Sequence, residues 1–155
     1  VPSAPQGTIP CDIDIQIIAP ERFSAIRGIS TVEWRPCMEF LEKYVIHEDD
    51  RGIFNGIVNR YTWAEINHIT TKKNVIRGNH YHQHTKELFY ILSGRIRVTV
   101  HHIETGEKHE FIAEPNMCFV IDPYEVHTFE TLEDSVWLNM LSHRMDEHKP
   151  DLHKA

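Results

Sequence analysis

The sequence predicts an all-β domain, a sandwich or a jelly-roll barrel, and three observations carry that expectation. From about Asp50 to Ser142, short apolar or alternating runs are separated by turn signals roughly every eight to twelve residues, the spacing of small sandwiches and barrels. After Tyr44 no run keeps helical periodicity for more than a few turns. The length of 155 residues suits one domain with a single sizeable core.

Composition narrows the classes. Sixteen Lys and Arg stand against 23 Asp and Glu, a formal charge of −7, and no basic run appears, which argues against a nucleic-acid surface. No apolar run is long enough to cross a bilayer, and no charged-then-apolar leader is visible. The sequence opens on Val1 rather than Met, as expected of a chain with a piece upstream. Cys11, Cys37 and Cys118 are odd in number, widely spaced and without a CxxC pair, so reduced thiols in a cytoplasmic protein are expected.

In chain order, Val1 to Pro10 carries three prolines and reads as a draped arm. The alternating run Cys11–Ala19, with Ile13, Ile15 and Ile17 on one face, reads as an edge strand, either of this chain's own sheet or across to a second subunit. Between Ser30 and Tyr44 a short helix is expected, capped by Ser30 or Thr31, with Phe40, Leu41 and Tyr44 at helical spacing. Asp49 to Gly52 is a turn before a strand. Strands follow within 61–71 and 74–82, joined by a turn at Lys72–Asn74, then at Leu88–Leu92, an apolar run read as buried on both faces. Ile96, Val98 and Val100 alternate with polar residues as a half-buried strand, and Glu104–Glu107 is a hairpin turn. Strands at 108–112, 117–121, 126–130 and 136–141 complete the set. The arm and short helix or strand thus occupy 1–48, the β domain 49–142, and a polar surface tail 143–155. Bare edge strands are costly, and the N-terminal strand offers a means of covering them across subunits, so a homodimer is expected.

The chemistry concentrates in RGNHYHQHTKELFYILSG, residues 77–94. Positions i and i+2 of a strand share a face, so His80 and His82 aim two imidazoles at one point. Glu87 from the next strand and His127 from a later one complete three nitrogens and one oxygen, a donor set for a first-row transition metal. His82 and His84 form a rival pair, but only two residues then remain before Glu87. The remaining histidines have no carboxylate at ligand spacing and are expected at or near the surface, His84 at the mouth of the site.

This stretch resembles the first motif of the cupin superfamily, G-x5-H-x-H-x3-4-E-x6-G. His80, His82, Glu87 and Gly94 fit, with Asn74 in place of the opening glycine. The second motif, G-x5-P-x-G-x2-H-x3-N, is matched loosely around His127: Pro123 is one place late, Tyr124 replaces the glycine and Thr131 the asparagine. Asp49 to Phe54 and the Arg77-Gly78-x-His80 run also resemble the dTDP-4-dehydrorhamnose 3,5-epimerases and the sugar 3,4-ketoisomerases. Those relatives hold no metal. Keeping both His82 and Glu87, this chain looks more like the metal-binding cupin domains of capsular-polysaccharide enzymes, which carry a GNH-x-H…E run.

The resemblance implies a cupin-type jelly-roll barrel that binds one divalent metal (Zn, Fe, Mn, Ni or Co) through His80, His82, Glu87 and His127. It implies an isomerase or epimerase acting on a keto-sugar or nucleotide sugar through metal-assisted enediolate formation. Tyr61, Tyr81, His84 and Lys86 are the acid/base candidates, and Arg51 and Arg77 are the candidates for phosphate or carboxylate contacts, since a guanidinium forks onto both. Two other functions fit the same ligands: an Fe(II)-dependent dioxygenase, and a module that binds a sugar without turning it over.

Overall fold

The protein is described from a computed structural model, over residues 38–154. The N-terminal arm, the Cys11–Ala19 run, the start of the expected helix, Cys11 and Cys37 lie outside the described residues.

The described elements are all strands: β1 (Glu39–Phe40), β2 (Val45–Asp49), β3 (Gly52–Gly56), β4 (Glu65–Thr71), β5 (Ile76–Tyr81), β6 (Glu87–Ser93), β7 (Ile96–His102), β8 (Lys108–Ala113), β9 (Cys118–Ile121), β10 (Glu125–Thr131), β11 (Ser135–Leu141) and β12 (His153–Lys154). Phe40, Leu41 and Tyr44 do not continue a helix. Phe40 pairs with Phe119 as part of β1, and the Leu41 N–H donates to the Cys118 carbonyl at 2.8 Å. The main chain there satisfies itself on the edge of β9 rather than within its own turns.

The expected closed jelly-roll barrel is not what forms. The described strands make two separate five-stranded antiparallel sheets, ordered β1-β9-β6-β11-β4 and β12-β5-β10-β7-β8, and a two-stranded β2-β3 ribbon. Among the described strands only β2–β3 and β7–β8 pair as consecutive strands, and β4 and β5 are one of the pairs that do not. They are consecutive, joined through Lys72–Val75, yet β4 hydrogen-bonds to β11 and β5 to β10. The turn hands the chain from one sheet to the other without a ladder between them. Strand length and turn chemistry specify the strands, but closure depends on which edges meet.

The main core lies between the two sheets. Phe89 and Ile91 of β6, Phe119 and Ile121 of β9 and Trp137 of β11 meet Ile96, Val98 and Val100 of β7 and Phe129 of β10. From Glu87 to Ile91 β6 is buried on both faces, and Leu92 at its end is exposed. Its other face carries Leu88 and Tyr90, covered by Ile57, Val58 and Trp63 from the loop before β4.

One irregularity decides where the site can form. In the β5–β10 ladder His127 faces His80 but Thr128 faces Gly78, so Asn79 is an extra residue, a β-bulge. Gly78 and Asn79 both take positive φ, 85° and 57°. The bulge reverses the alternation of β5. Arg77 would otherwise point away from His80 and His82; instead all three line the same cavity.

Candidate metal centre

His80, near the end of β5, and His82, just beyond it, meet Glu87 at the start of β6 and His127 on β10. Each offers one ligand atom, and these atoms lie within 4.8 Å of one another. His82, Glu87 and His127 are buried and His80 is half-buried. Among the described residues no other group of three or more His, Cys, Asp or Glu gathers in this way.

The tautomers follow from hydrogen bonding. Nδ1 of His127 contacts the Glu125 carbonyl at 3.1 Å, and Nδ1 of His82 contacts the Asp151 carbonyl. A carbonyl only accepts, so each Nδ1 carries the proton and each neutral ring turns a lone pair outward from Nε2. Both lone pairs face one carboxylate oxygen: Glu87 Oε2 is 3.2 Å from His82 Nε2 and 3.0 Å from His127 Nε2. Three acceptors thus converge without a donor, and His82 Nε2 and Glu87 Oε2 are buried without a hydrogen-bond partner. Such a cluster is satisfied by a cation. Burial pushes the His82 imidazole down, but Glu87 and the Asp151 carbonyl outweigh it and raise its pKa. Burial raises the Glu87 carboxyl, but His127 and His82, when protonated so that each donates to it, hold it well below the usual range. Burial first and His127 second lower the His80 pKa, keeping that ring neutral. Three imidazoles and one carboxylate suit Zn, Fe(II), Mn, Ni or Co.

Neighbouring groups hold the four side chains in place. Asn139 Nδ2 donates to Glu87 Oε1 at 3.1 Å, which leaves Oε2 for the cluster. The Glu125 carboxylate accepts the main-chain N–H groups of Met38 and Asp122, both at 2.8 Å, and so braces the turn before His127. Carbonyl or carboxylate partners of this kind orient metal-binding imidazoles generally.

The cluster sits in a cavity of about 350 Å³ between the sheets. Phe89, Phe129 and Trp137 form an apolar wall, while Glu65, Asn67, Asn139 and Arg77 supply polar groups. Met145 and Leu152, from the segment after β11, complete it.

The other residues singled out in the sequence are placed as follows. Arg77 lines the cavity, its Nε donating to Thr71 Oγ1 at 2.7 Å. Arg51 lies on the ribbon beside Asp49, in a separate hollow of about 260 Å³. The Tyr61 hydroxyl donates to Glu39 at 2.6 Å, and Lys86 pairs with Asp122 while its ammonium lies 4.7 Å from the centre of the Tyr61 ring. Tyr81 stacks on Tyr124 and His153, and His84 is exposed. None of these last four side chains lines the cavity. Sequence reasoning missed Asn139, Glu125 and Asp151. For Asn139 a signal existed, a polar residue on the inward parity of β11, between Trp137 and Leu141. For Asp151, within a polar tail, none did.

A protein-family model for the polysaccharide biosynthesis C-terminal domain matches residues 47–151. No curated protein matches the chain. Among solved structures, the capsular polysaccharide assembling protein CapF of Staphylococcus aureus superposes with a TM-score of 0.56 at 23% identity, over 71% of this chain and 32% of that one. The rmlC epimerase of Mycobacterium tuberculosis gives 0.63 at 18%, over 74% and 67%. A 3,4-ketoisomerase of Helicobacter canadensis gives 0.64 at 17%, over 76% and 90%. The match thus spans about a third of the CapF chain and most of the ketoisomerase. At these identities the likenesses establish a shared fold.

Proposed function

The chain belongs to the polysaccharide biosynthesis C-terminal domain family, and from that premise we propose that it is a metal-dependent isomerase or epimerase of a keto-sugar or nucleotide sugar. The observation that carries the reading is the convergence of His80, His82, Glu87 and His127, with unpartnered acceptor atoms, at a cavity whose remaining walls mix aromatic and polar groups. The structural neighbours include an epimerase and a ketoisomerase by name, which supports the same reaction class.

A divalent metal held by these four residues supplies Lewis acidity toward a carbonyl oxygen and its neighbouring hydroxyl. The protein's own groups do the rest. Arg77, tethered through Nε, turns its remaining guanidinium nitrogens toward a phosphate or carboxylate of the substrate. Phe89, Phe129 and Trp137 keep water from the reacting carbon. For the proton we assign Glu65, which lines the cavity across β11 from Glu87. Its carboxyl is held below the ordinary value first by the Met145 N–H and then by the Asn67 amide, so it is ionised, with each oxygen accepting one of these bonds. For isomerisation it takes the proton from the hydroxyl-bearing carbon and returns it to the former carbonyl carbon, while the hydroxyl proton passes to the former carbonyl oxygen; for epimerisation a second donor reprotonates the carbon from the opposite face. Tyr61, Tyr81, His84 and Lys86 are less well placed for this step, since none of them lines the cavity.

Elemental analysis of protein purified without chelator, followed by an NMR assay of keto-sugar nucleotides for exchange of the carbon-bound proton into heavy water, tests the proposal. Stoichiometric metal and metal-dependent exchange are expected. Metal without exchange on any keto-sugar tried would leave a binding module, and oxygen consumption with Fe(II) would leave a dioxygenase.

We further propose a cytoplasmic homodimer. Among the described residues no helix is long and apolar enough to cross a membrane. Cys118 is a free, buried thiol, its pKa pushed up to about 11 by burial. The ribbon exposes Ile46, Ile53 and Phe54, apolar surface that a second subunit would cover. A monomer mass by light scattering at micromolar concentration would remove the dimer.

A further inference from the structure

Asp151 stands 69 residues beyond His82 in the chain, yet binds it directly. Its carbonyl receives the Nδ1 proton of His82. Its carboxylate gathers the loop between His82 and Glu87: Oδ1 accepts the Gln83 N–H, and Oδ2 accepts the His84 and Thr85 N–H groups and the Thr85 hydroxyl, all at 2.9 Å. These donors hold the carboxyl well below its usual pKa against the opposing effect of burial. Two residues on, β12 adds to the free edge of β5, pairing His153 with Tyr81 and Lys154 with His80. A single residue of the C-terminal segment therefore sets the ring orientation of one ligand and the shape of the loop that carries the chain to the next.

We infer that Asp151 is a positioning residue of the metal centre, and that the C-terminal segment is a strap the centre needs in order to bind metal tightly. This rests on the metal reading above. Without the strap, nothing else described here holds the His82 Nδ1, and the ring is free to present either nitrogen. The loop from Gln83 to Lys86 would lose the acceptor for three of its main-chain donors. Residues that orient a ligand in this way change metal affinity by about 10- to 100-fold when removed.

The test uses the full chain stripped of metal and titrated with zinc against a competing chelator. Cobalt(II) absorption at saturation reports coordination geometry, and unfolding of the metal-free form reports the fold. Asp151→Ala keeps the carbonyl at His82 Nδ1 but removes the carboxylate that shapes the loop carrying the chain to Glu87; it should weaken zinc about 10- to 100-fold and change the shape of the cobalt spectrum. Thr85→Val, which removes one of the four loop contacts, should weaken zinc less and serves as the deciding variant if Asp151→Ala does not fold. Lys149→Ala, an exposed change in the same segment, should match wild type. A global loss of stability would lower occupancy but leave the saturated cobalt spectrum as it was. Zinc affinity within twofold of wild type with an unchanged cobalt spectrum, in whichever of the two variants decides, would overturn the strap while leaving the metal site standing. A wild-type chain that binds no metal would overturn both.

Discussion

Nε2 of His127 stands 3.0 Å from Oε2 of Glu87, and the neutral ring has no proton to place between them, because Nδ1 on its far side donates to the Glu125 carbonyl. The contact is repulsive unless a cation enters or a neighbouring ring is protonated. Glu87→Gln should separate these cases, since an amide can donate where the carboxylate cannot. At a pH above the His82 midpoint, metal-free Glu87→Gln should be at least as stable as metal-free wild type. At pH 6, where His82 is protonated and needs its anion, the variant should be less stable by about 1–3 kcal/mol. Zinc should raise the unfolding temperature of wild type and barely move the variant. Chemical denaturation at both pH values, with and without zinc, checks all three.

The histidines of the pair should titrate in opposite directions. Without metal, His82 is raised above 6.5 and His80 is lowered below it. The His82 contribution to stability is fully present below 6.5 and is lost as pH rises through its folded pKa. The His80 contribution has the reverse sign, present above 6.5 and lost as pH falls through its depressed value. Zinc must displace the His82 proton, so its affinity should climb across the window in which His82 loses that proton. Imidazole NMR of the metal-free protein would show both midpoints; finding both on the same side of 6.5 would refute the assignment.

Much of this was legible in the residues. Strands β4 to β11 sit where alternation and turn signals put them, and β6 is doubly buried from Leu88 to Ile91, while Leu92 at the end of the expected run is exposed. The glycine positions of the motifs are more instructive. Asn74 and Tyr124 replace expected glycines, and both hold positive φ, 62° and 68°. The sequence departs from the pattern there, but the backbone keeps the left-handed turn, because asparagine tolerates it and the surrounding structure imposes it on tyrosine. Three features were not legible. Sheet closure depends on which edges meet. The bulge at Asn79 depends on a ladder with β10. Asp151 acts through a carbonyl, which every residue has, so its identity carried no signal for that contact.

The choice of register between the two histidine pairs has a direct consequence. His82 is buried at 3.2 Å from Glu87, whereas His84 is exposed and its described hydrogen bond is made by its main-chain N–H. His82→Ala should abolish stoichiometric metal, and His84→Ala should retain it. Elemental analysis of the two variants after gel filtration decides, and the opposite pattern would mean the pair had been misread.

Glycine at 78 is the position where backbone and site chemistry cannot be separated. Its φ is 85°, and a Cβ there would lie 2.5 Å from the carbonyl oxygen of His127, a main-chain atom that cannot rotate aside. Gly78→Ala therefore meets left-handed strain and a steric clash together, roughly 2–5 kcal/mol. The relief available is to undo the bulge or part β5 from β10, and either displaces His80 from His127. Stability and metal should fall together. Gly106→Ala supplies the comparison. Its φ is 72°, but nothing lies within 4 Å of a Cβ there, in the hairpin between β7 and β8. It should cost only the strain, about 1–2 kcal/mol, and leave zinc affinity unchanged. Denaturant unfolding and zinc titration of the two variants test the difference. Equal losses of stability, or zinc binding of wild-type strength in Gly78→Ala, would show that the bulge does not set the ligands.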